Sequence, residues 1–297
     1  VFRRIRGGIW MHTGFIIANG TDSIVITKFL GLDVNGKYAN YLMITTIVGC
    51  LFKIVFDSVS ASVGDLIAEG DRRKIYRYFR TITFTAFVMF SVAAVGMLVM
   101  FNSFIRLWFT AADCTFGVAD MILIVIVLLV GNYGIKRPLA LFKNACGLFY
   151  NDRYFALAEG ICNLVLSLIL VRFIGFAGVM IGTIVSSMIT ICSGAYVLYK
   201  HLFKRPLFVF FFRLTVYSLF TAACAGLVAF GYSFIGCGNW LAFLLEGIGA
   251  VVFTGAAIVL VFGKTPEFRF VSGFVMRYIP KRFLPKGKAV ATNKKGM

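Results

Sequence analysis

"KRPLALFKNACGLFYNDRYFALAEGICNLVLSLILVRFIGFAGVMIGTIVSS", residues 136–187, opens on two basic residues and runs into oily sequence interrupted by single polar side chains. The run 155–173 is long and apolar enough to cross about 30 Å of hydrocarbon. A second such run, 177–198, follows almost at once. Glu159, Asn163 and Ser167 step by four through the first run, so they share one helical face. Gly178, Gly182, Ser186, Thr190 and Gly194 step by four through the second. A face of small residues lets two helix backbones approach closely where lipid offers no hydrophobic drive. Two adjacent apolar helices, one with a polar face and one with a small face, describe a helix bundle in a membrane.

Working outward, the whole chain carries the same signature. Its 297 residues are 60% hydrophobic and 14% charged, with a mean hydropathy of +0.90. A soluble domain carries about 25% charged residues, and no soluble core absorbs this much apolar surface. The fold class read from this is all-α, a polytopic membrane bundle of about 8 transmembrane helices. The apolar stretches are 9–30, 40–64, 82–101, 117–135, 155–173, 177–198, 208–234 and 241–262. With the N-terminus inside, the inner segments 1–7, 66–80, 136–153, 199–206 and 263–297 hold 24 of the 30 Lys and Arg. The outer loops hold Lys37, Arg106 and Arg172. That asymmetry follows the positive-inside rule and predicts both termini in the cytoplasm. The basic tail is then read as a topology signal facing anionic headgroups, with no nucleic acid as partner.

The seven cysteines include no CxxC pair, so neither a disulfide nor a metal site is expected. The chain begins at Val1 and runs directly into "FRRIRGGIW" without a signal peptide, as a piece of a longer protein would.

Polar residues single out three helices. In 40–64, Thr46, Cys50, Lys53, Asp57, Ser60 and Gly64 line one face, and Lys53 and Asp57 are placed i,i+4 to pair. In 9–30, Asn19 and Asp22 are i,i+3, with Lys28 nearby. An intramembrane carboxylate is a functional candidate by default, and Asp22 can hold a proton or coupling cation, or neutralise Lys28 or Lys53 across the bundle. The third face holds Glu159 and Asn163, with Arg137 at the inner end of the preceding helix or on an interfacial turn. These faces together are expected to line a hydrated path for polar or anionic cargo. Its members are Asn19, Asp22, Lys28, Lys53, Asp57, Arg137, Glu159 and Asn163. No catalytic residue is expected. The acids Glu69 and Asp71, beside Arg72, Arg73 and Lys74, read as a charged loop.

"NGTDSIVITKFLGLDVNGKYANYLMI" (19–44), "FIRLWF" (104–109) and residues 137–187 resemble the polysaccharide biosynthesis protein family. These are bacterial O-antigen and teichoic-acid exporters, of the superfamily that includes MATE antiporters and lipid II flippases. The resemblance covers residues 10–200 at least. It implies two pseudo-symmetric lobes around a central cavity, of which this chain corresponds to the second, C-terminal one. Residues 1–204 would form that lobe, 205–263 two additional helices, and 264–297 a basic cytoplasmic tail. The implied activity is flipping of a polyprenyl-diphosphate-linked oligosaccharide by alternating access, in the bacterial cytoplasmic membrane. No cofactor is implied beyond coupling to H+ or Na+. The implied partners are the lipid-linked oligosaccharide, membrane lipids, and the polymerase or ligase of the same pathway. Thr21, Asp22 and Ser23 match the family's "TDS", and Asn151, Asp152, Arg153, Tyr154, Ala158 and Glu159 match its "NDRY…AE". Lys28, Lys53 and Arg137 would then contact diphosphate or sugar-acid oxygens. Alternatives are a MATE-type cation-coupled drug exporter, which would favour an acidic cavity, and a membrane-embedded transferase. A transferase would need clustered Asp or a His/Asp base.

Overall fold

The computed structural model describes residues 20–109, 115–130, 134–148, 153–232 and 240–278. Among these residues the fold is all-helical, with no strand. Helix α1 covers 20–30, followed by α2 (Leu32–Ser58), α3 (Ser60–Glu69), α4 (Arg72–Phe109), α5 (Val118–Val130) and α6 (Lys136–Ala145). Then come α7 (Arg153–Val197), α8 (Phe208–Tyr232), α9 (Trp240–Phe262) and α10 (Pro266–Tyr278). Leu32–Glu69, Arg72–Trp108, Tyr154–Phe203, Phe208–Tyr232 and Trp240–Phe262 are each long and apolar enough to cross a membrane. The chain is a polytopic membrane helix bundle.

Helix α7 is two antiparallel helices. A straight 45-residue helix would be about 68 Å long, yet Thr190 donates to Glu159 at 2.7 Å across 31 residues. The backbone reverses at Ile174 (φ −130°, ψ 17°) and Gly175 (φ 59°, ψ −134°). Gly175 takes the left-handed φ that side-chain-bearing residues avoid. The arms, α7a (153–173) and α7b (176–197), correspond to the two apolar runs 155–173 and 177–198. The small face of α7b closes the hairpin. A Cβ on Gly178 would lie 2.4 Å from the Leu170 carbonyl oxygen, and one on Gly182 would lie 2.8 Å from Ser167 Oγ.

Helix α4 is the axis of the bundle. One core joins it to α1, α2, α5 and α7 through Val25, Tyr41, Phe56, Phe101, Met121 and Met180. A second joins it to α3, α6, the end of α7b and the 198–203 turn, with Phe79 edge-on to Phe142. Helices α8 and α9 pack on α4 and on each other, and Ser91 and Thr221 share a buried hydrogen bond of 2.6 Å between α4 and α8. Their remaining surface, including Leu219, Leu227, Leu245 and Leu260, is exposed and apolar, as a lipid-facing surface must be.

Two short helices lie where the hydropathy profile has none. Helix α6 buries Pro138, Leu139 and Phe142 under the bundle, and α10 packs on α4 inside the segment read as a basic tail. The acids of the 66–80 segment are structural. Asp71 Oδ1 accepts the backbone N–H of Arg73 at 2.8 Å and so caps α4, and Glu69 pairs with Lys74.

Candidate functional site

The α7 hairpin builds a buried polar line. Ser167 Oγ donates to Asn163 Oδ1 at 3.1 Å, and Asn163 Nδ2 donates to Thr183 Oγ1 at 3.3 Å on the opposite arm. Thr183 Oγ1 in turn lies 3.0 Å from Asp22 Oδ2 on α1. The same hydroxyl lies 3.1 Å from the Val179 carbonyl, so its single proton is shared between the two acceptors. Asp22 is 5% exposed; the Asn163 amide also acts on its carboxyl as a hydrogen-bond donor, and among the described residues Oδ1 makes no short hydrogen bond. No described cation forms an ion pair with it. A buried carboxylate is tolerated only when neutralised or paired. The geometry around Asp22 therefore suits a proton on the carboxyl or a small cation against Oδ1.

One turn along α7a, Glu159 is bonded from three sides. Lys136 of α6 pairs with it, Ser187 Oγ donates to it at 3.2 Å, and Thr190 Oγ1 donates at 2.7 Å. Lys136 also donates to Ser187 at 3.1 Å. Burial pushes the Lys136 amine below its ordinary range, with Glu159 opposing that shift. Lys143, on the same short helix, is 8% exposed. Burial lowers its pKa to about 8, while Glu159 raises it and Lys136 adds to the fall.

The neighbouring Arg137 turns the other way and pairs with Asp57 of α2. The i,i+4 pair of Lys53 with Asp57, expected from spacing, does not form. A lysine N-terminal to its acid is the weaker order on a helix, and the packing of α6 under the bundle brings Arg137 to Asp57. Lys53 is exposed and has no described acid as partner. Thr46, Cys50 and Asp57 of α2 are exposed with it, as is Ser60 across the break at Val59 at the start of α3, so the polar stripe of α2 lies open. Lys28 is also exposed, 6.0 Å from the centre of the Phe29 ring.

The structure thus gathers Asp22 with Asn163, and Arg137 with Asp57. It leaves Lys28 and Lys53 away from the carboxylates. Asn19, Asn151 and Asp152 lie outside the described residues. The hydroxyls of Thr183, Ser187 and Thr190 complete both carboxylate sites. The sequence marks Thr190 only as part of a small face, and nothing in it singles out Thr183. Comparison with protein-family models, curated proteins and solved structures yields no match.

Proposed function

We propose that this chain is the second-lobe portion of a flippase that moves a polyprenyl-diphosphate-linked oligosaccharide across a bacterial cytoplasmic membrane by alternating access. The observation that carries the reading is the open polar stripe of α2. Thr46, Cys50, Lys53 and Asp57 are exposed along a helix long enough to cross the bilayer. A charge set against lipid costs a few kcal/mol on insertion scales, so this face belongs against water, cargo or another polar surface. Lys53 and the Arg137–Asp57 pair supply the cationic contacts a diphosphate needs. Asp22 is the coupling residue of the proposal, holding H+ or Na+ between α1 and the α7 hairpin. The resemblance of 19–44, 104–109 and 137–187 to the oligosaccharide-lipid exporters supplies the cargo class, and no catalytic chemistry enters the proposal.

The test is a sidedness assay in sealed vesicles, following labelled lipid-linked oligosaccharide from one leaflet to the other. Lys53→Ala is expected to slow flipping with normal membrane insertion. Unchanged flipping in Lys53→Ala and Asp22→Ala together would remove the proposal. Gradient-dependent efflux of a cationic dye with no movement of the glycolipid would select the drug-exporter reading instead.

A further inference from the structure

A second polar corner lies where α4, α8 and α10 meet. Arg80 of α4 and Arg213 of α8 both bond a single carboxylate, Glu267 of α10, with Arg213 Nη1 donating at 3.1 Å. Glu267 is buried, whereas each arginine is about a third exposed. Two guanidinium groups on one carboxylate leave a surplus positive charge. Arg80 Nε is in addition buried with no acceptor among the described residues.

A narrow apolar crevice lies near this corner. It lies between α4, α8 and the start of α6, lined by Thr83, Phe87, Phe90, Pro138, Leu214 and Tyr217. The arginines do not line the crevice themselves, but Thr83 follows Arg80 within one helical turn and Leu214 follows Arg213 directly, so the crevice begins within a turn of both cations. Tyr217, in its wall, is within electrostatic reach of Arg80, Arg213 and Glu267. Thr83 Oγ1 is buried there with no hydrogen-bond partner among the described residues. Of the other titratable groups at this corner, Tyr199 senses both arginines, and the Arg80 guanidinium lies 6.0 Å from the centre of the Tyr76 ring. Glu267 is the only described acid that pairs with either arginine.

We propose that this corner binds an anionic glycerophospholipid, with its phosphate on Arg80 and Arg213 and the first methylenes of one acyl chain laid against the crevice. A free phosphate would use only the cations, whereas a lipid uses the cations and the apolar slot together. Both α4 and α8 are long and apolar enough to cross a membrane, and the arginines lie nearer the N-terminal ends of these helices than the slot does, as a headgroup beyond an acyl chain requires. Glu267 competes with the phosphate for the same donors, so lipid occupancy and the seating of α10 are linked. Arginine suits the role because its planar fork can bind the carboxylate or the phosphate with paired hydrogen bonds.

Native mass spectrometry of the purified protein in detergent tests this, with titrations of dioleoyl phosphatidylglycerol, dioleoyl phosphatidylcholine and inorganic phosphate. One phosphatidylglycerol should be retained in preference to phosphatidylcholine, whose choline adds an opposing positive charge. Arg213→Gln should weaken that retention about tenfold, the loss of one charge-assisted hydrogen bond. Ser218 also lines the crevice, and Ser218→Phe, which fills it, should weaken both lipids. Glu267→Gln should strengthen phosphatidylglycerol retention, a gain that misfolding cannot produce. Equal retention by wild type and Arg213→Gln would overturn the proposal. So would inorganic phosphate displacing the lipid at equal concentration, which would leave a bare anion site.

Discussion

Lys136 of α6 pairs with Glu159 of α7a, 23 residues along the chain, with the two side chains only 13% and 12% exposed. The next residue, Arg137, pairs with Asp57 on α2, where the exposures are 26% and 52%. Two consecutive cations therefore tie one short helix to two different membrane-spanning elements, in two different dielectric settings. Desolvation decides what each tie contributes. An exposed pair contributes about 0.2–1 kcal/mol, whereas removing one member of a buried pair costs about 3–5 kcal/mol because the other charge is stranded. A double-mutant cycle on Asp57→Asn and Arg137→Gln, read by chemical denaturation in detergent, should return a coupling below about 1 kcal/mol. Glu159→Gln alone should cost several times more. Equal effects at the two sites would contradict the assigned burial.

The α7 hairpin predicts a contrast between two glycines. A Cβ on Gly178 meets the Leu170 backbone at 2.4 Å, and backbone cannot swing aside as a side chain can. A Cβ on Gly226 of α8 would meet nothing within 4 Å. Gly178→Ala should lower stability by about 1–3 kcal/mol, the usual cost of overpacking. Gly226→Ala should be neutral or stabilise by about 0.5–1 kcal/mol through helix propensity. Thermal midpoints of the two variants in one detergent check this, and a neutral Gly178→Ala would mean that the arms do not touch there.

Much of this architecture is legible in the residues alone. The hairpin arms follow from hydropathy, and their contact face follows from five small residues at spacing four, because close helix packing in lipid needs small side chains. Helix α6 is not legible in that way. Ten residues holding Lys136, Arg137 and Lys143 make no apolar window, and their burial depends on Leu139 and Phe142 finding a pocket made by distant helices. Helix α10 escapes for the same reason, its Glu267 being one acid among the basic residues of 264–278. The Asp22 site divides similarly. A carboxylate in a span is visible from sequence, but Thr183 reaches it only once the hairpin has folded, across 161 residues.

Lys143 gives a pH dependence with a definite sign. Its pKa falls from 10.5 to about 8, chiefly through burial. Between those values the unfolded chain holds a proton that the folded chain has released, so stability rises with pH across that window. Below pH 8 the lysine is charged in both states and the burial penalty is felt in full. At about 1.4 kcal/mol per pH unit the penalty is at most about 3 kcal/mol. Lys143→Met should therefore raise the thermal midpoint at pH 7, and the gain over wild type should shrink as pH approaches 10.5. Parallel stability curves for the two proteins from pH 7 to 10.5 would show that the amine is not buried as described.

Asp22 separates fold from function. Its Oδ2 accepts from Thr183, and among the described residues its Oδ1 makes no short hydrogen bond, so the site tolerates a neutral group of the same shape. Asp22→Asn keeps the volume and an acceptor for Thr183, and its stability should lie within about 1 kcal/mol of wild type, the worth of one altered hydrogen bond. Flipping driven by a proton or sodium gradient should be lost in this variant, because asparagine neither releases a proton nor neutralises a cation. Thr183→Val should weaken the response to the ion gradient, and Thr183→Ser should restore it, since it is the hydroxyl of Thr183 that bonds the carboxylate. Measuring flipping in vesicles against imposed proton and sodium gradients reads all three variants on one scale. Wild-type gradient dependence in a folded Asp22→Asn protein would place the coupling ion elsewhere in the bundle.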